Sequence, residues 1–260
     1  MNAPVHAAMN GTHHWLRVEN LSVTYGGLRA VDDVSFTLAP GRVLGLIGPN
    51  GAGKTTTIDA LTGFVPSAQG TISLHDNRID GTSAHARARA GLVRTFQSVE
   101  LFDDLSVREN LIVAAQQPRW WSMLSDALTP KRNLQRHEVG EAIELAGITS
   151  IADMRPPQLS HGQRRLVGVA RALAARPKVV LLDEPAAGLD PSETDALGTL
   201  IRRLPELGIG VLLVDHDMTL VLEVCDDLVV LDFGRVIASG PPHEVRADPA
   251  VVAAYLGGGQ

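Results

Sequence analysis

The stretch "GPNGAGKTT", Gly48–Thr56, decides the fold. It carries the spacing G-x-x-x-x-G-K-[ST] at Gly48, Gly53, Lys54 and Thr55, with Pro49, Asn50, Gly51 and Ala52 inside the loop and Thr56 just past it. Glycines at these places let the backbone curl until successive N–H groups face one point, which suits phosphate oxygens. Lys54 adds a point charge, the start of a helix adds roughly half a charge, and Thr55 offers a hydroxyl to Mg2+. The flanks meet the motif's demands: apolar "RVLGLIG" precedes it, and "KTTTIDALTGF" follows with helical character. A chance glycine-rich turn would need neither. The expectation is a buried strand, a phosphate loop and a helix.

Outward from this loop, Val43–Ile47 is nearly all apolar, as a strand covered on both faces would be. Val179–Leu182 and Val211–Val214 have the same character. Each run ends in polar residues or glycine, so the three mark the carboxyl edge of a parallel sheet, where α/β proteins bind ligands. "VVLLDE", Val179–Glu184, delivers two carboxylates to that edge. Asp183 fits the holding of Mg2+, directly or through water, and Glu184 fits the orientation or deprotonation of an attacking water. The third run ends on Asp215–His216–Asp217. Neighbours on a strand point opposite ways and cannot converge on a metal. From spacing alone, His216 stays open between contact with a terminal phosphate and an incidental role.

The margins of the chain have other rhythms. Leu16, Val18, Val23, Tyr25, Val34, Phe36 and Leu38 alternate as an antiparallel sheet with one wet face would. From Ser98 to Ala174 the character is helical, and past Val211 strands return, with "LVVLDFGRVIASG" reading as a hairpin turning at Asp232–Gly234. The expected division is 14–97 and 175–240 for the two parts of a nucleotide-binding core, 98–174 for a helical insertion, and 241–260 for a tail.

A second candidate anion site is "LSHGQRR", Leu159–Arg165. Ser160 and Gln163 stand in the relation of a capping box, and Leu166, Val169, Ala170 and Leu173 then line one helix face. Arg164 and Arg165 fall in the first turn, where the helix dipole disfavours cations and an arriving anion would offset that cost. An ordinary capped helix with two solvated arginines satisfies the same pattern.

Composition narrows the classes. A chain of 260 residues, 45% hydrophobic and 20% charged, is long enough for a sizeable core. The net charge of −6 argues against a nucleic-acid partner. Cys225 is the only cysteine, sits beside an apolar run, and reads as a small buried hydrophobe. "MNAPVHAAMNGTHH" lacks a basic start and an apolar core, so no secretory signal is expected, and no apolar run approaches the ~20 residues that span a bilayer. Trp120 and Trp121 read as buried, with partner contact as the alternative.

Taken together, the phosphate loop, "VVLLDE", "LSHGQ" and "DHDM" resemble the ATP-binding subunit of an ABC transporter, from about Trp15 to the C-terminus. "LSHGQ" is similar to that family's signature, usually written LSGGQ, with His161 in place of the first glycine. The resemblance implies an α/β P-loop NTPase fold of the ABC ATPase type, with an antiparallel β subdomain and a helical subdomain. It implies ATP and Mg2+, and two cassettes packed head-to-tail, so that Ser160, Gly162 and Gln163 serve a nucleotide held by the partner's phosphate loop. It further implies that Tyr25 in "VTYGGL" stacks on adenine, that Gln97 in "RTFQ" reaches Mg2+ where the cassette meets a permease, that Asp190 in "AAGLD" communicates across the dimer, and that His216 is the switch histidine.

Within that family, "LTGF", "RTFQSVELFDDLSVREN", "LLDEPAAGLDP" and "DPAVVAAYLG", with the expanded Arg119–His137 region, are most similar to the ATPases of branched-chain amino acid importers. Urea or short-amide importers and the lipopolysaccharide-export ATPase share several of these stretches. The implied partners are a second ABC ATPase subunit (identical or a paralogue), integral-membrane permeases and, indirectly, an extracytoplasmic substrate-binding protein. The implied location is the cytoplasmic face of the cell membrane, held there through the permeases. Two rivals fit less well. Soluble ABC ATPases acting on nucleic acid or ribosomes need long heptad arms or paired cassettes, and a metabolic P-loop kinase has no use for "LSHGQ".

Overall fold

A computed structural model describes residues 15–67, 69–95, 100–115 and 131–257. The alternating N-terminal segment forms β1 (Leu16–Tyr25) and β2 (Leu28–Leu38), paired antiparallel from Leu16–Leu38 to Tyr25–Leu28. The fully buried β3 (Val43–Ile47) follows, then the phosphate loop and α1 (Lys54–Thr62). Next come β4 (Gln69–Leu74) and the short β5 (Asn77–Arg78), which complete a four-stranded sheet in the order β2-β1-β4-β5. After α2 (Ala84–Ala90) and β6 (Leu92–Arg94), the chain turns helical with α3 (Val107–Ala115), α4 (Lys131–Leu145) and α5 (His161–Ala174), which pack on one another.

The chain then returns through β7 (Val179–Asp183), α6 (Pro191–Arg203), β8 (Gly210–Val214), α7 (Met218–Val224), β9 (Asp227–Asp232) and β10 (Arg235–Gly240), and ends in α8 (Pro242–Val245) and α9 (Pro249–Gly257). The second sheet runs β10-β9-β3-β8-β7-β6. Its ladders β9–β3, β3–β8, β8–β7 and β7–β6 are parallel, and β10 joins antiparallel at one edge.

Side-chain alternation divides the core into two layers. From the central strands, Leu44, Leu46, Val179, Leu181, Leu212 and Val214 face the antiparallel sheet and α1. Their neighbours Val43, Ile47, Val180, Leu182, Val211 and Leu213 face α5, α6 and α7. A strand in the middle layer must therefore be apolar at every position, which is why the three runs show no polar beat. The layering leaves the carboxyl ends of β3, β7 and β8 as the place where polar side chains emerge. Cys225 is buried, and burial pushes its thiol up to about 12, as befits a small core residue. Among the described residues, no helix is long and apolar enough to cross a membrane. Gln97, Trp120 and Trp121 lie outside the described residues.

Candidate functional site

The phosphate loop leaves β3 and enters α1 at Gly53, whose φ of 100° is a left-handed conformation that a side chain resists. A Cβ there would come within 2.6 Å of the Ala30 carbonyl oxygen, so the loop packs against β2 only because this residue is glycine. Further ties hold the loop: the Ala52 N–H donates to the Pro49 carbonyl at 3.2 Å, and the Gly234 N–H, in the β9–β10 turn, donates to the Ala52 carbonyl at 3.0 Å. Gly53 provides no side-chain cap. The helix ladder starts with the Thr57 N–H donating to the Gly53 carbonyl at 2.9 Å, which leaves the N–H groups of Lys54, Thr55 and Thr56 ahead of it. Lys54 folds across the loop and donates from Nζ to the carbonyls of Gly48 at 2.6 Å and Pro49 at 3.0 Å. Burial lowers its pKa, and the charges of Glu184 and Asp183 oppose that shift, so all three groups share one neighbourhood.

The two carboxylates at the end of β7 are held differently. Asp183 is buried, and its Oδ2 accepts from Arg94 Nη2 at 2.7 Å, while its Oδ1 has no hydrogen-bond partner among the described residues. A buried carboxylate oxygen left over in this way suits a hard cation, which takes oxygen donors and satisfies the charge. The residues present thus fit Mg2+ at Asp183, with Thr55 at the mouth of the neighbouring loop. Glu184 leaves the strand with a left-handed φ of 47°, anchored by its N–H on the Val214 carbonyl at 2.7 Å. That conformation is costly for a residue with a Cβ, and such strain gathers where side-chain direction matters.

Asp215 and His216 stand just past the end of β8, off the strand. Asp215 is buried and accepts from the N–H groups of Ala186, His216 and Asp217 at 2.9, 2.8 and 3.0 Å, while Asp217 caps α7 through the N–H groups of Thr219 and Leu220. Both carboxylates serve the backbone, and His216 projects from the turn, exposed. His216 Nδ1 comes within 3.8 Å of Asp215 Oδ1, but the described residues hold no cluster of three or more groups of metal-ligand type. Tyr25 ends β1, 48% exposed, as a ring free to be stacked upon must be.

The signature segment begins α5. Ser160 Oγ accepts from the Gln163 N–H at 3.1 Å, and Gln163 Oε1 accepts from the Ser160 N–H at 2.9 Å, so Gln163 is turned back on its own helix as a cap. Asp190 does the same for α6, accepting from the Glu193 N–H at 2.9 Å. Glu193 joins the two. Its Oε2 accepts from the Asp190 N–H at 3.2 Å, and its Oε1 accepts from Ser160 Oγ at 3.3 Å. Gly162 lies so close that a Cβ on it would fall within the Glu193 carboxylate. The candidate site residues therefore fall into two groups: Lys54, Asp183 and Glu184 in one, and Ser160, Gly162, Gln163 and Asp190 in the other.

Sequence reading missed Glu193, although "DPSE" at Asp190–Glu193 has capping-box spacing with proline at the first helical position. It also missed Arg94 and Tyr255. The latter, on α9, is raised in pKa by burial, and the neighbouring Gly48 backbone opposes that shift. No local pattern marks either residue.

Residues 31–187 match the family model described as ABC transporter, and residues 235–260 match one described as branched-chain amino acid ATP-binding cassette transporter. The chain belongs to the ABC transporter family. It is similar to the high-affinity branched-chain amino acid transport ATP-binding protein BraF of Pseudomonas aeruginosa, 41% identical over 248 residues, covering 93% of this chain and 97% of that one. The lipopolysaccharide export system ATP-binding protein LptB of Escherichia coli is 40% identical over 242 residues, again covering 93% and 97%. Among solved structures, the ADP conformation of the ATP-binding cassette MJ1267 is similar with a TM-score of 0.82 and 31% identity, covering 95% of this chain and all of that one. The fold is that of an ABC ATPase, with its antiparallel sheet and helical subdomain.

Proposed function

We propose that this chain is the ATP-hydrolysing subunit of an ABC importer for branched-chain amino acids, working at the cytoplasmic face of the cell membrane through permease subunits. The observation that carries the enzymatic part is the meeting of Lys54, Asp183 and Glu184 at the carboxyl edge of the sheet, with one oxygen of Asp183 unengaged among the described residues. The substrate class rests on residues 235–260 and on the likeness to BraF.

In this reading the open N–H groups at the start of α1 and the Lys54 ammonium bind the ATP phosphates. Thr55 and Asp183 hold Mg2+, which when bound neutralises charge on the phosphate oxygens. Glu184, aimed by its left-handed backbone, orients the attacking water and accepts its proton, and His216 contacts the terminal phosphate. Tyr25 stacks on adenine. Ser160 and Gly162 receive the γ-phosphate of ATP bound to a second cassette, so that ATP closes a head-to-tail dimer and hydrolysis releases it. Gln97 and the helical segment 98–174 pass that motion to the permeases, while 14–97 and 175–240 form the nucleotide-binding core and 241–260 the tail.

Glu184→Gln tests the chemistry. Removing a preorganised group is worth about 2.7–4 kcal/mol, so turnover should fall about 10²- to 10³-fold with ATP affinity retained. Wild-type turnover would remove Glu184 from the reaction. The substrate class is tested by reconstituting the protein with its permeases and binding protein. ATP-dependent uptake of leucine, isoleucine or valine is expected, and uptake of urea alone would overturn it.

A further inference from the structure

An ionised carboxylate as buried as Asp183 must be paired. Its cation comes from the adjacent strand. Arg94 is the last residue of β6, its side chain only 9% exposed, and it forks between two acids. Nη2 donates to Asp183 Oδ2 at 2.7 Å, and Nη1 donates to Asp59 Oδ1 at 2.5 Å. Asp59 sits on α1, the helix that opens on Lys54. One planar group thereby ties the carboxyl edge of the sheet to the phosphate-loop helix, with a fixed angle between its two donors that a lysine ammonium on its flexible stem does not impose.

The fork also decides which oxygen of Asp183 is engaged. Oδ2 is held and Oδ1 is not, so the carboxylate has one orientation rather than two. We propose that Arg94, anchored by Asp59, is a positioning residue that locks the Asp183 carboxylate with Oδ1 presented to Mg2+. This rests on the reading of Asp183 as the metal-holding carboxylate.

Charge and orientation act in opposite directions here, which makes the idea testable. A guanidinium beside a metal site repels the metal, so if charge were its whole effect, loss of Arg94 would tighten metal binding. As a positioning group, its loss weakens metal binding. Mn2+ is titrated against the full-length protein with ATP present, following the free-ion signal by electron paramagnetic resonance. ATP affinity is measured separately in EDTA, and melting temperature without nucleotide checks folding.

Arg94→Lys, which keeps the charge and loses the fork, should raise half-saturating Mn2+ about five- to tenfold while metal-free ATP affinity stays within about twofold. Asp59→Glu, which keeps the charge at a more exposed position but displaces the anchor, should shift it about two- to threefold the same way and serves if Arg94→Lys does not fold. Unchanged or tighter Mn2+ binding in the folded variants overturns the proposal. So does a parallel loss of metal-free ATP affinity, since Arg94 would then be supporting the phosphate loop. Asp183→Asn separates the layers: if it leaves Mn2+ binding unchanged, the underlying reading falls and takes the proposal with it.

Discussion

The start of α1 and the start of α5 are both helix ends with exposed residues in the first turn, but their cap residues differ. Gly53 has no side chain and leaves the first-turn N–H groups of α1 without a cap, whereas Ser160 closes a full capping box on α5. The charges differ as well. Lys54 brings a cation to α1, while Glu193 brings a carboxylate to Ser160 and Gly162. An end lacking its own cap gains most from an external anion, and an end that carries a cap and an acid is stable without one. In the proposed dimer this is a division of labour: α1 binds the phosphates within one chain, and α5 meets them only when another chain delivers them.

Ser160→Arg should break that division most severely. It removes the cap, worth about 0.5–2 kcal/mol, and places a bulky cation at the proposed γ-phosphate contact. Analytical ultracentrifugation of the variant, in the hydrolysis-deficient Glu184→Gln background, should show ATP-driven association lost, with monomer ATP affinity within about twofold of the parent. Association at normal ATP concentration would mean that α5 has no part in the partner's site.

Lys54→Ala probes the other end. Hydrogen bonds to charged groups contribute about 1.5–3 kcal/mol, which is about ten- to hundredfold in affinity. Calorimetry should therefore find monomer ATP binding weakened by that factor. If Lys54→Ala instead spared ATP affinity and Ser160→Arg destroyed it, the roles of the two helices would be reversed.

Both helix ends were legible in the sequence, and their surroundings were not. Gly48–Thr56 announces itself because the loop, its strand and its helix are contiguous, and the apolar runs of β3, β7 and β8 declare their burial because both faces are covered. The capping box of Ser160 and Gln163 is equally local. What sits against these elements was not readable. Ser160 and Glu193 are 33 positions apart, and Arg94 and Asp183 are 89 apart. Such pairs are brought together by sheet order and helix packing, which no residue spacing encodes. β6 was missed for a related reason: Leu92–Arg94 is too short for a periodic signal, yet it supplies the arginine on which Asp183 depends.

Glu193→Gln gives the smallest effect and the finest test of the comparison. Glutamine keeps an acceptor oxygen for the Asp190 N–H and so preserves the α6 cap, but it removes the negative charge from the start of α5. A charge at a helix end is worth about 0.3–1 kcal/mol, or about two- to fivefold in an equilibrium. The lone protomer should melt slightly lower, since α5 loses its internal anion. The ATP concentration needed for association should fall by about two- to fivefold, since the partner's phosphate no longer meets that carboxylate. A purely structural Glu193 would lower the melting point and leave association unchanged. If the variant needed more ATP to associate, the carboxylate would be an ally of the incoming phosphate rather than its competitor, and the contrast between the two helix ends would have to be redrawn.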